Sequence, residues 1–122
     1  MPASEMINYV ELPANNIPAT KLFFQSVFSW SFIDYGNEYT AFSHSGIDGG
    51  FFLSELRSQT ANGACLLVLL SDDLEATEQR VKASGGIISQ AIFAFPGGRR
   101  FHFIEPSGNE LAVWSPLKAY IA

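Results

Sequence analysis

Among these 122 residues few side chains are of types that do chemistry near neutral pH, and the two best placed lie two positions apart. Arg100 carries a planar fork of donors that can hold a carboxylate through two parallel bonds. His102 is the residue type that exchanges a proton close to pH 7. In Arg100-Phe101-His102-Phe103-Ile104 the polar pair alternates with aromatic residues, the period of a strand whose two faces differ. An imidazole among such neighbours needs either a hydrogen-bonded structural partner or a function, and Arg100 has the alternative of sitting at a strand end in water. His44, between Ser43 and Ser45 and ahead of a glycine-rich turn, is expected to be solvated. Cys65, inside the apolar run from Ala64 to Leu70, is expected to pack as a small buried thiol, with no second cysteine for an internal disulfide. The serines fall in turns, so no Ser-His-Asp or Cys-His arrangement is indicated. Gly49-Gly50 and Gly97-Gly98 lack the strand-to-helix setting of a phosphate-binding loop.

The elements that position these residues belong to one domain, 1–122, because a chain of this length and 48% hydrophobic content fills one core and not two. Eleven Phe supply large buried area and good walls for small-molecule cavities. A net charge of -5 provides no basic stripe, which disfavours nucleic acid as a partner. No apolar stretch reaches the roughly 18 residues of a membrane span, and Met1-Pro2-Ala3-Ser4-Glu5 lacks the charged and apolar run of a signal peptide. No membrane association and a cytoplasmic location are therefore expected.

The chain is written twice. When the second half is laid over the first so that Asn15 meets Asp72, Asn15-Asn16-Ile17-x-Ala19-Thr20 falls on Asp72-Asp73-Leu74-x-Ala76-Thr77. Each copy opens with a strand, Ile7 to Leu12 and Ala64 to Leu70, followed by a helix start. Asn15 or Asn16 caps the first helix with Pro18 in its opening turn, and Asp72-x-x-Glu75 reads as a capping box for the second. Helix one pairs Phe23 with Val27 and Phe24 with Phe28. Helix two stripes Leu74, Thr77 and Val81 inward, turns Glu75, Glu78 and Lys82 toward water, and ends at Gly85-Gly86. The first helix runs into Ser29-Trp30, where Trp30 is expected to lid the core. Three short strands follow each helix: 30–35, 39–43 and 50–54, then 87–93, 100–104 and 110–115, separated by turn clusters. Module one spans about 5–55 and module two about 63–116, joined by 55–63. Neither βαβββ half can cover both faces of its sheet alone.

A duplicated βαβββ module resembles the vicinal oxygen chelate superfamily, whose members include glyoxalases, bleomycin-resistance proteins and extradiol dioxygenases. Three segments carry the resemblance: Glu11-Leu12-Pro13-Ala14-Asn15-Asn16 continued by Ala19-Thr20-x-x-Phe23-Phe24-x-x-Val27-Phe28-Ser29-Trp30; Phe103-Ile104-Glu105-Pro106-Ser107-Gly108-Asn109; and the strand start at Gly49-Gly50-Phe51. It implies an α+β fold of two tandem βαβββ modules, with eight strands in a cupped mixed sheet flanked by helices. In that family the metal ligands are His, Gln or Glu on the first and last strands of both modules. Here those positions fall at Tyr9, Leu66 and Ala112, with the module-one tail near Ser54, and none is a His or a carboxylate. A divalent catalytic ion needs about three nitrogen, oxygen or thiolate donors, so no metal and no cofactor is expected.

If Tyr9, Leu66 and Ala112 face the cup, alternation turns Glu11, Val68, Glu110 and Trp114 the same way. The family's penultimate strand also turns Arg100 and His102 inward and sends Phe101 and Phe103 toward a helix. The ligand-binding set is then Tyr9, Glu11, Leu66, Val68, Arg100, His102, Ala112 and Trp114. Three functions are compatible with it: a metal-free binding protein for a small hydrophobic or aromatic molecule, as bleomycin-resistance relatives are; a metal-independent lyase or isomerase with His102 and Glu11 as acid and base on a carbonyl or lactone compound; and a metal-dependent glyoxalase or dioxygenase with the non-standard ligands Glu11, His102 and Glu110. A cup filled by its own Phe and Tyr side chains would instead make a structural partner. The resemblance also implies a homodimer, with modules swapped or packed edge to edge.

Overall fold

A computed structural model describes residues 4–117. In chain order the elements are β1 (Tyr9–Ala14), α1 (Ile17–Phe28), β2 (Ser31–Asp34), β3 (Tyr39–Ser43), β4 (Asp48–Leu53), a 3-10 turn (Thr60–Asn62), β5 (Leu67–Leu70), α2 (Leu74–Ala83), β6 (Ile87–Phe95), β7 (Gly98–Ile104) and β8 (Glu110–Pro116). The fold is α+β, and each half is βαβββ.

The helix ends follow their side chains. Asn16 Oδ1 accepts from the Ala19 amide at 3.1 Å, satisfying one of the donors that a helix start leaves unpaired. Asp73, not Asp72, caps α2, accepting from the Ala76 amide at 3.1 Å, so the expected Asp72–Glu75 capping box does not form. Ser71 Oγ accepts from the Asp73 amide at 3.0 Å, which delays the helix by one residue, while Glu75 is paired with Arg99. Gly85 at φ +94° takes the left-handed position after α2, and the Gly86 amide closes on the Val81 carbonyl at 2.9 Å. Ser29 does the same for α1 at φ +60°.

The eight strands form two four-stranded sheets of identical topology, β1-β4-β3-β2 and β5-β8-β7-β6. In each, the first strand runs parallel to the last of its module and the other pairs are antiparallel. Cys65 precedes β5 and is exposed, correcting the expectation of a buried thiol. Ala64, Cys65 and Leu66 still belong to the loop leaving the 3-10 turn, so the apolar run enters the ladder only at Leu67.

One apolar cluster serves both sheets. Leu12, Ala14, Phe42 and Phe51 enter it from the first and Phe101, Phe103, Leu111 and Val113 from the second. Helix α1 binds the two together: Phe24 stacks on Trp30 and Phe51, while Phe23 and Phe28 meet Phe103. Helix α2 adds Leu74, Thr77 and Val81, all buried. A polar joint reinforces the contact. Glu105, 2% exposed, accepts from Thr20 Oγ1 at 2.7 Å, the Ser107 amide at 2.8 Å and Asn109 Nδ2 at 2.6 Å. Asn109 Nδ2 also donates to the Pro13 carbonyl at 2.7 Å. The β7–β8 turn of module two is thus tied to β1 and α1 of module one.

Candidate ligand-binding faces

Because each sheet buries one face in the shared core, alternation leaves the other face turned away from it. On the second sheet that outer face carries Val68 from β5, Arg100 and His102 from β7, and Trp114 from β8, with Arg100 opposite Trp114 and His102 opposite Ala112. Phe93 and Phe95 of β6 lie opposite Arg100 and Gly98. The Arg100 guanidinium carbon is 5.3 Å from the Phe93 ring centre and 5.6 Å from that of Phe95. Val68, Phe95, Arg100 and Trp114 line a cavity of about 230 Å³.

His102 is 3% exposed and its Nδ1 lies 2.9 Å from Glu110 Oε2. Glu110 Oε1 accepts from both the amide and the hydroxyl of Thr60 at 2.8 Å. Burial opposes ionisation of Glu110, but the bonds from His102 and Thr60 outweigh it and hold the carboxyl below its ordinary range. An ionised carboxylate only accepts, so the proton in the pair sits on His102 Nδ1. His102 Nε2 and Arg100 Nε are buried without a hydrogen-bond partner.

The outer face of the first sheet holds a different group. Tyr39 Oη donates to Glu11 Oε2 at 2.9 Å and lies 2.5 Å from Tyr9 Oη. Since Tyr39 gives its proton to Glu11, Tyr9 is the donor to Tyr39 and keeps its own lone pairs for another donor. Burial, with the bonds to Tyr9 and Glu11, pushes the Tyr39 hydroxyl above its ordinary range. The glycine beneath it leaves room for the ring: a Cβ on Gly50 would collide with Tyr39 Oη and force the side chain to shift.

The eight expected binding residues therefore divide. Val68, Arg100, His102 and Trp114 share one face, while Tyr9 and Glu11 share the other. Leu66 precedes β5, and Ala112, on the His102 face, is fully buried, so its methyl meets a ligand only if neighbouring side chains move. Glu11 is paired with Tyr39 and His102 with Glu110, on different sheets. Sequence reasoning missed Tyr39, Phe93 and Phe95. Period-two alternation carried through β3 and β6 is the signal for them, although two register shifts between Ile88 and Phe93 blur it in β6. His44 is exposed and bonds Ser31 Oγ at 2.9 Å.

The residues do not fit the family's metal. Leu66 and Ala112 have no donor atoms, Tyr9 is engaged with Tyr39, and among the described residues no group of three His, Cys, Asp or Glu side chains converges.

Comparison with solved structures gives the same fold at low identity. A glyoxalase-related enzyme from Fulvimarina pelagi superposes with a TM-score of 0.76 at 16% identity, covering 91% of this chain and 88% of that one. The genomically encoded fosfomycin resistance protein FosX from Listeria monocytogenes gives 0.77 at 14%, covering 96% and 98%. TnmS3, an antibiotic binding protein from Streptomyces sp. CB03234, gives 0.68 at 18%, covering 96% and 100%. A search of curated protein sequences finds no match. The family model of the Glyoxalase/Bleomycin resistance protein/Dioxygenase superfamily matches residues 6–113, a span that takes in both βαβββ modules up to the middle of β8, and the chain belongs to this superfamily.

Proposed function

We propose that this protein binds a small hydrophobic or aromatic molecule without a metal, in a cup built by two copies of the chain. The observation that carries the reading is the outer face of the second sheet, where aromatic walls surround a guanidinium and buried nitrogens of Arg100 and His102 have no partner. Buried polar atoms are normally satisfied, and a ligand seated on this face would supply the missing partners. The likeness to an antibiotic binding protein and to a fosfomycin resistance protein accords with a binding role.

The placement of the two faces supports the dimer. Both are turned away from the core of their own chain, and β1 and β5 are edge strands flanked by the exposed Ile7, Tyr9, Val68 and Leu70. A closed cup then sets the Tyr9–Glu11 face of one copy against the Arg100–His102 face of another. A cytoplasmic location accords with the exposed Cys65, and the net charge of -5 with the absence of nucleic acid among the partners.

The His102–Glu110 pair favours a second reading, a metal-independent lyase or isomerase in which Glu110 orients the imidazole and Nε2 moves the proton. The test combines three measurements on purified protein: metal content by mass spectrometry, mass in solution by light scattering, and calorimetric titration with aromatic compounds. A metal-free dimer that binds aromatics, and fails to after Trp114→Ala, is the expected result. A stoichiometric ion, or a monomer that binds nothing, overturns the proposal. Turnover lost in His102→Gln with binding retained moves the assignment to the enzyme.

A further inference from the structure

We infer that the ligand of the second-sheet face is an aromatic anion, a single substituted ring whose carboxylate sits on Arg100. This rests on the binding reading above and adds the chemical class. Arg100 differs from the other described cations in being half-buried with no hydrogen-bonded side-chain partner, whereas Arg57 and Lys82, also without an ion pair, are exposed. Lys21 is bonded to Asp34, Arg99 to Glu75, and Arg80 to the Val27 carbonyl and Thr77. No carboxylate among the described residues lies within ion-pair distance of Arg100, although the chain carries a net charge of -5. The acid on its own face, Glu110, lies four residues along β8 from the strand partner of Arg100 and is committed to His102 and Thr60, and Glu11 on the other sheet is committed to Tyr39.

The guanidinium is half-buried, lies against Phe93 and Phe95, and keeps Nε–H without an acceptor. Stacking on rings offsets part of the cost of leaving water, but a ring face does not satisfy an in-plane N–H. A guanidinium only donates, so the missing partner is an acceptor, and a carboxylate is the acceptor that matches its fork. The walls choose the rest of the molecule. Phe95 and Trp114, with ring centres 6.2 Å apart, and Val68 offer flat apolar contact around a cavity of about 230 Å³. That is below the roughly 300–1,000 Å³ usual for drug-sized ligands, which suits one ring.

The test is calorimetric titration of the full chain with benzoate, with benzyl alcohol as its neutral counterpart, and with the larger pair 2-naphthoate and 2-naphthalenemethanol. Benzoate is expected to bind at least about tenfold more tightly than benzyl alcohol, as a charge-assisted bond in a half-buried site implies. Arg100→Gln is expected to bring the ratio of benzoate to benzyl alcohol affinity to about one. Arg100 is only half-buried, and circular dichroism confirms that the variant is folded; the wild-type preference stands as a measurement in any case. Equal binding of anion and alcohol overturns the inference and leaves the binding reading in place. Failure of all four compounds at about 1 mM overturns both.

Discussion

Glu110 is a carboxylate kept charged by its donors, and its protonation therefore appears in the stability of the protein. Its folded value lies below the ordinary 4.5 because the bonds from His102 and Thr60 outweigh burial. The stabilisation is present above the ordinary value and is lost as pH falls through the lowered folded one. Glu110→Gln should lose this acid-side dependence. In urea unfolding between about pH 3 and 7, the advantage of the wild type is expected to shrink toward the acid end, and parallel curves would refute the assignment. Gly50 gives a second prediction at this scale. Gly50→Ala puts a methyl where the Tyr39 hydroxyl stands, which breaks the Tyr9–Tyr39–Glu11 chain. The expected readout is a tyrosine ultraviolet spectrum and ionisation curve shifted toward those of free phenol. Alternation along β1 and β8 put Glu11 on one face with Tyr9, and Glu110 on one face with Ala112 and Trp114. Their partners, Tyr39 and His102, are matters of inter-strand register, which a single strand's pattern does not contain.

Two adjacent aspartates precede α2, and only the structure separates their roles. Asp73 accepts from the helix while Ser71 holds the Asp73 amide. Asp73→Ala is expected to lower stability by about 1 kcal/mol, the usual loss of a capping residue, and Asp72→Ala to stay within about 0.5 kcal/mol. Denaturant midpoints of the two variants check this, and equal losses would contradict it. The elements themselves were readable because the duplicated pattern gives each one twice: β3 falls at Tyr39–Ser43 as expected, and α2 buries Leu74, Thr77 and Val81. The first strand of each module was placed too early, at Ile7 for Tyr9 and at Ala64 for Leu67. Apolar character continues upstream of the residues that meet a partner strand, and hydrogen bonding to β4 and β8 decides where the ladder starts.

Glu105 ties the two halves into one molecule, and its charge opposes the burial that this requires. Burial raises its folded value above the ordinary 4.5, although the donors from Ser107, Thr20 and Asn109 pull the other way. For a raised value the sign is the reverse of Glu110: the contribution is fully present below the ordinary value and is lost as pH rises through the folded one. Unfolding of Glu105→Gln across about pH 4 to 8 is expected to show the wild type losing ground to the variant as pH rises. A wild-type advantage that grows with pH would overturn this. The turn from Glu105 to Asn109 was legible as a strand breaker, because proline and glycine constrain the backbone locally, but its docking onto Pro13, Asn16 and Thr20 was not. By itself the sequence determined the repeat, the α+β class, which residues of most strands share a face, and the loss of metal donors at Leu66 and Ala112. Each follows from residue type and period, which are properties of the chain alone. Only the tertiary structure decided that α1 packs against both sheets, so that the Tyr9–Glu11 and Arg100–His102 faces point away from their own core. That arrangement depends on which faces of two similar modules bury the most apolar surface together, and both modules carry the same local pattern.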